Sequence, residues 1–257
     1  MKTNFIFSLS LMAMVCSTIN AQEKKYPEPE PMKAGMTEYW IPQPKHVTPG
    51  DIKTNTAPSD AIVLFDGKDL SQWENSKGEP AEWNVHDGVV TVEKQKGDIR
   101  TKQKFGSFQM HLEWYVPKDN KEGKFLRGNS GVIIQGMYEL QILDNYEIET
   151  YSNGYVASIY KQSAPLVNPI RKAGEWNVFD IIYTAPVFKE DGNYLYRPRI
   201  TVIFNGVLVQ NNTEILGTTR YIGLPQTVKH GDGPISLQAH GDAADPISFR
   251  NIWIRPL

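Results

Sequence analysis

The chain has 257 residues, with 27 Lys and Arg against 29 Asp and Glu, and a formal net charge of -2. This near-neutral balance gives no electrostatic basis for binding nucleic acid or an anionic membrane, so a neutral partner such as a sugar fits better. The length is sufficient to bury a substantial core in one large all-β domain.

Residues 1–21 are typical of an export signal. The apolar run over residues 5–15 is too short to span a bilayer comfortably, and the small Ala21 precedes the predicted cleavage point. The single cysteine, Cys16, follows Val15 rather than a small residue, so cleavage is favoured over lipid anchoring at Cys16. The sequence therefore predicts an exported protein, periplasmic or extracellular, that has no disulfide and no membrane span.

Residues 22–60 are rich in proline, which lacks a backbone N–H and fixes φ, so both helix and central strand are excluded. The segment is predicted to be an extended arm. At its centre Tyr39, Trp40 and Ile41 are large and apolar. They indicate that part of the arm packs against the domain that follows.

Residues 61–257 form short β-branched and aromatic runs separated by Gly, Asn, Asp or Pro, a pattern typical of an antiparallel sandwich or barrel. Asp87-Gly88 and Asn205-Gly206 each separate two such runs and predict hairpin turns. One run alternates between an apolar face, Phe108, Met110, Leu112 and Trp114, and a polar face, Gln109, His111, Glu113 and Tyr115. The sequence contains no convincing amphipathic helix of three turns and no tandem repeat.

The stretch over residues 128–147 is the first candidate for a functional surface. Alternation predicts a strand with an apolar face, formed by Val132, Ile134, Tyr138, Leu140 and Ile142, and a polar face, formed by Gln135, Glu139 and Gln141. This polar face is either an ordinary wet surface or the floor of an active site. Asp144 has the wrong parity to join it unless a β-bulge follows Gln141.

Three later strands carry further candidates. His240 shares a predicted face with Gln238, and imidazole is a common proton shuttle near neutral pH. Tyr160 is either amphipathic core or a platform on which a sugar stacks. Arg250 is either an edge-strand charge or a buried clamp.

Several catalytic classes have no matching motif. No Cys–His pair remains after signal cleavage, and the sequence has no Gly-rich phosphate loop ahead of a helix and no HExxH. Ser130 lacks the strand-to-helix elbow that a serine nucleophile needs. No His/Asp cluster has metal-site spacing, although Glu139, Asp144 and His240 could converge in space.

Taken together, a series of motifs resembles the 3-keto-disaccharide hydrolase family, formerly a domain of unknown function, over about residues 61–257. The motifs occur in this order: LFDGKDLSQW at 64–73, WNVHDGVV at 83–90, GNSGVIIQGMYELQILD at 128–144, GEWN at 174–177, FNGV at 204–207, and GPISLQAHG followed by FRNIWIRPL at the C-terminal end. The resemblance implies an all-β fold, a two-sheet antiparallel jelly-roll sandwich of the concanavalin-like lectin/glucanase type. Polar residues of the 128–144 stretch would then line its concave sheet.

The resemblance also implies a reaction. A ketone at C3 of a sugar acidifies the C2 hydrogen, so that a base can remove it, the C1 aglycone leaves by elimination, and water adds later. Glucanases of this fold carry E-x-D-x-x-E, whereas this chain has Glu139, Gln141 and Asp144 in similar rhythm, which disfavours ordinary retaining hydrolysis.

On this reading the catalytic candidates are Glu139, His240 and Asp144, with Glu139 and His240 as base and acid. Candidate substrate-binding residues are Asn129, Ser130, Gln135, Gln141, Tyr160, Lys161, Gln238 and Arg250. A divalent metal on Glu139, Asp144 and His240 is an optional electrophile, and no other cofactor is expected.

The expected partner is a small-molecule or oligosaccharide substrate, with no protein partner evident. Two alternatives remain open from the sequence. One is a non-catalytic, lectin-like carbohydrate-binding module, because the fold supports binding as readily as catalysis. The other is a laminarinase-like endo-glucanase, which would release reducing sugar from unoxidised β-glucan.

Overall fold

A computed structural model describes residues 26–51, 53–54, 56–118 and 127–257, so the predicted export signal lies outside the described residues. The chain divides into two compact units, residues 1–45 and 46–257. The described part of the first unit contains one 3-10 turn, Ala34–Met36. The expectation that part of the arm packs against the domain that follows stays a prediction.

Within the described residues the second unit is built from fifteen strands and two 3-10 turns, Lys94–Lys96 and Ser152–Gly154. No helix in the described ranges is long and apolar enough to cross a membrane. The strands are β1 Ile62–Phe65, β2 Trp73–Asn75, β3 Asn84–His86, β4 Val89–Thr91, β5 Ile99–Thr101, β6 Phe108–Tyr115, β7 Ser130–Ile134, β8 Tyr138–Ile142, β9 Trp176–Thr184, β10 Val187–Phe188, β11 Tyr194–Tyr196, β12 Arg199–Phe204, β13 Val207–Glu214, β14 Ser236–Leu237 and β15 Ser248–Pro256.

These strands form a two-sheet antiparallel sandwich, as the sequence predicts. The larger sheet has the order β13-β12-β9-β6-β15-β4-β3, with β1 also pairing β15. The smaller sheet has the order β2-β5-β14-β7-β8, and β10 and β11 form a separate two-stranded ribbon. Both predicted hairpin turns are confirmed, at Asp87-Gly88 and Asn205-Gly206, where all four residues have positive φ between 50° and 82°.

The core lies between the two sheets and is strongly aromatic. The predicted apolar face of β6 is confirmed, since Phe108, Met110, Leu112 and Trp114 are all 0% exposed. Each large side chain buried in this way contributes roughly 1.5–3 kcal/mol. The ring centroids of Tyr138 in the smaller sheet and Tyr183 in the larger sheet are 6.4 Å apart, so the two inner faces are in contact.

The stretch over residues 128–147 is a hairpin rather than the single strand predicted. Chain reversal occurs at Gln135 and Gly136, with φ of 52° and 72°, so β7 and β8 lie side by side. Gln135 consequently leaves the predicted polar face. Its side chain is buried, accepts a hydrogen bond from Tyr183 Oη (2.7 Å) and donates one to the Phe105 carbonyl (3.0 Å). Gln135 therefore joins the two sheets, which corrects its expected role in substrate binding.

The middle of the polar face of β6 is buried as well: His111 and Glu113 are 2% and 4% exposed, whereas Gln109 and Tyr115 at its ends are half-buried. His111 Nδ1 lies 2.7 Å from Asp180 Oδ1. Burial alone would lower the pKa of His111, but hydrogen bonds with Asp180 and Glu113 outweigh it and raise that pKa to about 8. Burial would raise the pKa of Glu113, but hydrogen bonds with His111 and two further side chains hold it at about 2. This sheet face thus carries a buried, ionised network.

Arg250 belongs to that network and not to the smaller sheet. Its Nε donates to Glu113 Oε2 (2.7 Å), and its guanidinium lies 4.0 Å from the centroid of the Trp176 ring. The expectation that Arg250 binds substrate beside Glu139 is corrected for this reason. Neither interpretation from sequence fits fully: β15 is an inner strand between β6 and β4, and the Arg250 side chain clamps Glu113 but is 42% exposed.

Candidate active site

A cleft of about 580 Å³ lies on the outer face of the smaller sheet. In the β7–β8 hairpin Gly131 is opposite Gln141 and Ile133 is opposite Glu139. Because side chains alternate along a strand, Glu139 and Gln141 point away from the core that Leu140 joins. The cleft is lined by Asn129, Glu139, Gln141, Leu143, Thr150, Tyr151, Gly154, Tyr160, Thr219, Tyr221, Gln238 and His240.

Glu139 is the buried carboxyl group of this cleft. It is 9% exposed, and burial, followed by the nearby charge of Asp98, raises the pKa of Glu139 to about 7. Its backbone is fixed on both sides. The Glu139 N–H donates to Thr219 Oγ1 and its carbonyl accepts from the Tyr160 N–H, each at 3.0 Å. A carboxyl group poised near neutral pH can both accept and donate a proton under physiological conditions.

The amide of Gln141 orients that carboxyl group. With its nitrogen facing Glu139, the Gln141 amide donates to Glu139 Oε1 at 3.1 Å and to the Ser130 carbonyl at 3.2 Å. Ser130 is fully buried, and its Oγ donates to the Gln238 carbonyl at 2.8 Å. Ser130 therefore holds the floor of the cleft in place from beneath, whereas its expected role was direct contact with substrate.

Gly131 makes room for the Glu139 side chain. A Cβ atom at position 131 would lie 3.0 Å from Glu139 Oε1 and 3.1 Å from its Cγ. Such a contact is tighter than ordinary van der Waals packing, so the side chain of Glu139 would have to move.

We therefore expect Gly131→Ala to displace the Glu139 carboxyl group with little change in stability, and to lower by about tenfold the rate of a reaction in which that group takes part, since small displacements of a reacting group are costly. Steady-state kinetics together with thermal unfolding would test this. Gly231→Ala is a matched control, because a Cβ atom at position 231 meets nothing within 4 Å. Equal activity of the two variants would show that Gly131 does not position Glu139.

His240 lies on another part of the cleft wall and is held by a charged relay. Its Nδ1 is 2.6 Å from Asp242 Oδ2, while Lys94 Nζ is 2.8 Å from Asp242 Oδ1. The Asp242 side chain is only 5% exposed, so the Asp242 carboxylate holds the His240 ring from a buried position. A carboxylate on Nδ1 fixes the tautomer and leaves Nε2 as the ring atom available to a substrate.

Aromatic side chains form a further part of the wall, which contains Tyr151, Tyr160 and Tyr221. The hydroxyl groups of Tyr151 and Tyr160 are 2.8 Å apart, and burial, followed by this hydrogen bond, raises the pKa of Tyr160 above its usual value. Lys161 Nζ donates to the Tyr221 carbonyl (2.7 Å) and lies 4.4 Å from the centroid of that ring. Lys161 thus ties two segments of the wall together, rather than lining the cleft itself.

Six of the residues expected from sequence come together in the cleft: Asn129, Glu139, Gln141, Tyr160, Gln238 and His240. Asp144 does not, because the bulge after Gln141 that would turn it onto this face is absent, so its expected place beside Glu139 is corrected. The β7–β8 register is regular up to Ile142, and Leu143 takes the next place on the cleft side. Asp144 is buried elsewhere and pairs with Arg127 Nε at 2.6 Å.

The hypothesis of a divalent metal finds no matching ligand set in the described part of the chain. No group of three or more His, Cys, Asp or Glu side chains there is arranged to hold a metal ion. Since Asp144 pairs with Arg127, the expected set of Glu139, Asp144 and His240 is not assembled.

Sequence reasoning missed several residues of the cleft. Tyr151, Thr219 and Tyr221 come from irregular segments in which alternation gives no signal. Asp242 had a usable signal, because it follows His240 by two residues across Gly241, and this short turn lets the carboxylate reach back to the ring. Lys94 is distant in sequence and carries no such signal.

The fold and the cleft together define a class of protein: a two-sheet β-sandwich with a carboxyl group and an imidazole in a polar, aromatic-walled cleft on one sheet. Residues 60–255 match the model of the 3-keto-alpha-glucoside-1,2-lyase-like domain, and the chain belongs to this family.

A curated relative, the 3-keto-disaccharide hydrolase of Bacteroides thetaiotaomicron, is 23% identical over 292 residues, covering 100% of this chain and 99% of the relative. A solved structure of a proposed glycosyl hydrolase from Parabacteroides distasonis is 62% identical, with a TM-score of 0.86, and the match covers 90% of this chain and 99% of that one. A second such structure from that organism is 24% identical, with a TM-score of 0.55, over 77% of this chain and 99% of that one, and supports the fold alone.

Proposed function

We propose that the protein is a carbohydrate-active enzyme that cleaves the glycosidic bond of 3-keto-glycosides by elimination followed by hydration. The family description and the activity named for the Bacteroides relative support a keto-sugar substrate. The observation that carries the proposal is the composition of the cleft. Among the described residues that line it, Glu139 is the single carboxyl group, and it shares the cleft with His240.

This composition favours elimination over displacement. Glycosidases that work by displacement use two carboxyl groups, about 5–5.5 Å apart in retaining enzymes and about 6.5–9.5 Å apart in inverting enzymes. Elimination from a 3-keto sugar needs only one base and one acid, because the ketone already activates the C2 hydrogen. The laminarinase-like alternative therefore lacks its second carboxyl group in the described cleft.

In the proposed reaction Glu139, as carboxylate, removes the proton from C2. The C2–H electron pair passes to the C3 ketone as an enolate, then returns to form the C1–C2 double bond as the C1–O bond breaks. His240, as an imidazolium whose Nδ1–H is held by Asp242, gives the departing aglycone oxygen the proton of its Nε2. Water then adds across the C1–C2 double bond: its oxygen bonds to C1 as His240 takes its proton, and Glu139 returns the proton to C2, which restores the 3-keto sugar and both side chains. A positioned acid–base pair supplies about 10²–10⁴-fold in rate.

The remaining polar residues have binding roles. Gln141 holds the Glu139 carboxyl group, and the Asn129 and Gln238 side chains line the same floor. Amide N–H groups aimed at the C3 oxygen would stabilise the enolate as charge develops there. The Tyr160 ring offers a surface on which a sugar ring can pack.

The proposal predicts a pH dependence. Because the carboxylate form of Glu139 acts as base, and burial raises its pKa to about 7, kcat/KM should fall about tenfold per pH unit below about pH 7. Rates on one 3-keto-glycoside from about pH 5 to about pH 9 would measure this limb. A limb centred near about pH 4.5, the ordinary value for glutamate, would exclude Glu139 as the base.

The function itself is tested by incubating the purified protein with a 3-keto-glucoside and with its parent glucoside, each with and without chelator. We expect cleavage of the keto sugar alone, insensitive to chelator. Release of sugar from the unoxidised glucoside would favour the glucanase, and binding without turnover of either compound would favour the lectin-like module. Inhibition by chelator would restore the metal hypothesis.

A further inference from the structure

A short loop at the mouth of the cleft displays an unusual run of apolar side chains to solvent. The loop over residues 219–225 is closed at its base, where the Thr218 N–H donates to the Gln226 carbonyl at 2.9 Å. It carries Tyr221, Ile222 and Leu224, which are 71%, 80% and 84% exposed. Large apolar side chains clustered on a surface are typical of a binding site.

This loop is tied to β8, which carries Glu139, and to Lys161. Thr219, at its start, accepts a hydrogen bond from the Glu139 N–H, and its own N–H donates to the Met137 carbonyl at 2.8 Å. On the far side Lys161 Nζ holds the Tyr221 carbonyl and ring. The apolar run is therefore fixed relative to the Glu139 carboxyl group, and Tyr221 itself lines the cleft.

The chemistry of the floor differs from that of the loop. Asn129, Gln141 and Gln238 present amides that match sugar hydroxyl groups, whereas Ile222 and Leu224 have nothing to offer a hydroxyl group. A glycoside with an apolar aglycone has the same two parts: a polar sugar ring, which would lie near Glu139, and an apolar group on C1, which would be directed outward to the loop. Tyr151, also half-exposed, adds a second aromatic ring at the mouth.

We propose that the 219–225 loop is the aglycone subsite and that it selects 3-keto-glycosides with an apolar, aromatic aglycone. The inference rests on the proposed function, since it assigns the leaving group of that reaction. The aromatic ring of the aglycone packs against Tyr221 and covers Ile222 and Leu224 as it binds. Continuity of the loop with the cleft through Tyr221 favours this occupant over a second copy of the chain.

The test compares a phenyl 3-keto-glucoside with a 3-keto-disaccharide of two glucose units. In the double variant Ile222→Ser/Leu224→Ser we expect kcat/KM for the phenyl substrate to fall about tenfold more than for the disaccharide, mainly through KM. Leu208→Ser is the matched control. Leu208 is an exposed apolar residue on β13 of the other sheet, and its replacement should leave both substrates unchanged.

The outcomes separate the two proposals. Equal effects on both substrates, or no effect on either, would overturn the aglycone subsite while leaving the keto-glycoside activity in place. Turnover of neither substrate by the wild type would overturn the proposed function, and the subsite with it. Concentration-dependent dimers that the double variant abolishes, with unchanged kinetics, would identify the loop as a contact between copies instead.

Discussion

Glu139→Gln is expected to lower kcat on a 3-keto-glycoside by about 10³-fold or more while KM or the affinity for a substrate analogue changes little. The substitution keeps the shape of the side chain and removes its ability to take a proton. Single-turnover rates and calorimetric titration on one preparation would separate chemistry from binding. A variant that retains more than about a tenth of the wild-type rate would exclude Glu139 as the base.

The stability of this variant provides an internal control. The folded-state pKa of Glu139, about 7, lies above its ordinary value of 4.5, so ionisation of the buried carboxyl group destabilises the fold as pH rises. The cost is absent below about pH 4.5 and complete above about pH 7, where it is on the order of 3 kcal/mol. Since glutamine stays neutral, Glu139→Gln should unfold no more easily than wild type at about pH 8. Loss of activity through misfolding would instead lower the unfolding temperature.

A second control uses a glutamate remote from the cleft. Glu214, at the end of β13, pairs with Arg197 and Arg199 at 2.9 and 3.0 Å, and its side chain is 38% exposed. Glu214→Gln should leave kcat within about twofold of wild type, because Glu214 does not line the cleft. The fold should also be little affected, because exposed ion pairs contribute little to stability. Similar losses in the two variants would indicate a general effect of charge rather than a catalytic role.

His240→Gln should lower kcat by about 10²–10³-fold on a 3-keto-disaccharide, whose sugar alkoxide needs a proton to leave. The loss should be much smaller on a 3-keto-glucoside of 4-nitrophenol, because that phenolate leaves without protonation. Rates for the two substrates in the variant and in wild type give the measurement. An equal loss on both would assign His240 to a different step and would contradict its role as acid.

Two further variants sharpen this result. Asp242→Asn removes the charge that holds the imidazole, so we expect about a tenfold loss with the same dependence on the leaving group. His86→Gln is the matched control, since His86 also pairs with a neighbouring aspartate, Asp87, at 2.9 Å, but both side chains are exposed on the β3–β4 turn. It should behave as wild type.

The sequence predicted the fold well because the fold is encoded locally. Alternation places the core residues of β6, and the Asp87-Gly88 and Asn205-Gly206 turns occur where the dipeptides indicate them. The same rule failed at Gln135, since alternation continued across Gly136 and hid a hairpin in one apparent strand. Simple alternation holds beyond Gln141: no bulge occurs there, so Leu143 faces the cleft and Asp144 does not.

The site was only partly predictable, for a different physical reason. Glu139, Gln141, Gln238 and His240 lie on strands or close to their ends, so their shared face follows from pairing of β7 with β8 and β14. The aromatic wall comes from segments whose contacts form only once the sandwich has folded. Tyr221, for example, depends on Lys161, which is 60 positions away in the chain. No local pattern reports such a contact.

The buried charges of the larger sheet determine which N-terminal boundary a shortened fragment of this protein can have. The family match begins at residue 60, whereas the compact unit begins at His46. Val47, Pro49, Gly50 and Asp51 precede that boundary and line a depression together with His111 and Asp180. A fragment trimmed to the family boundary would admit water to the ionised network and lose part of its cooperative unfolding. The region that the family model matches and the compact unit therefore begin at different residues.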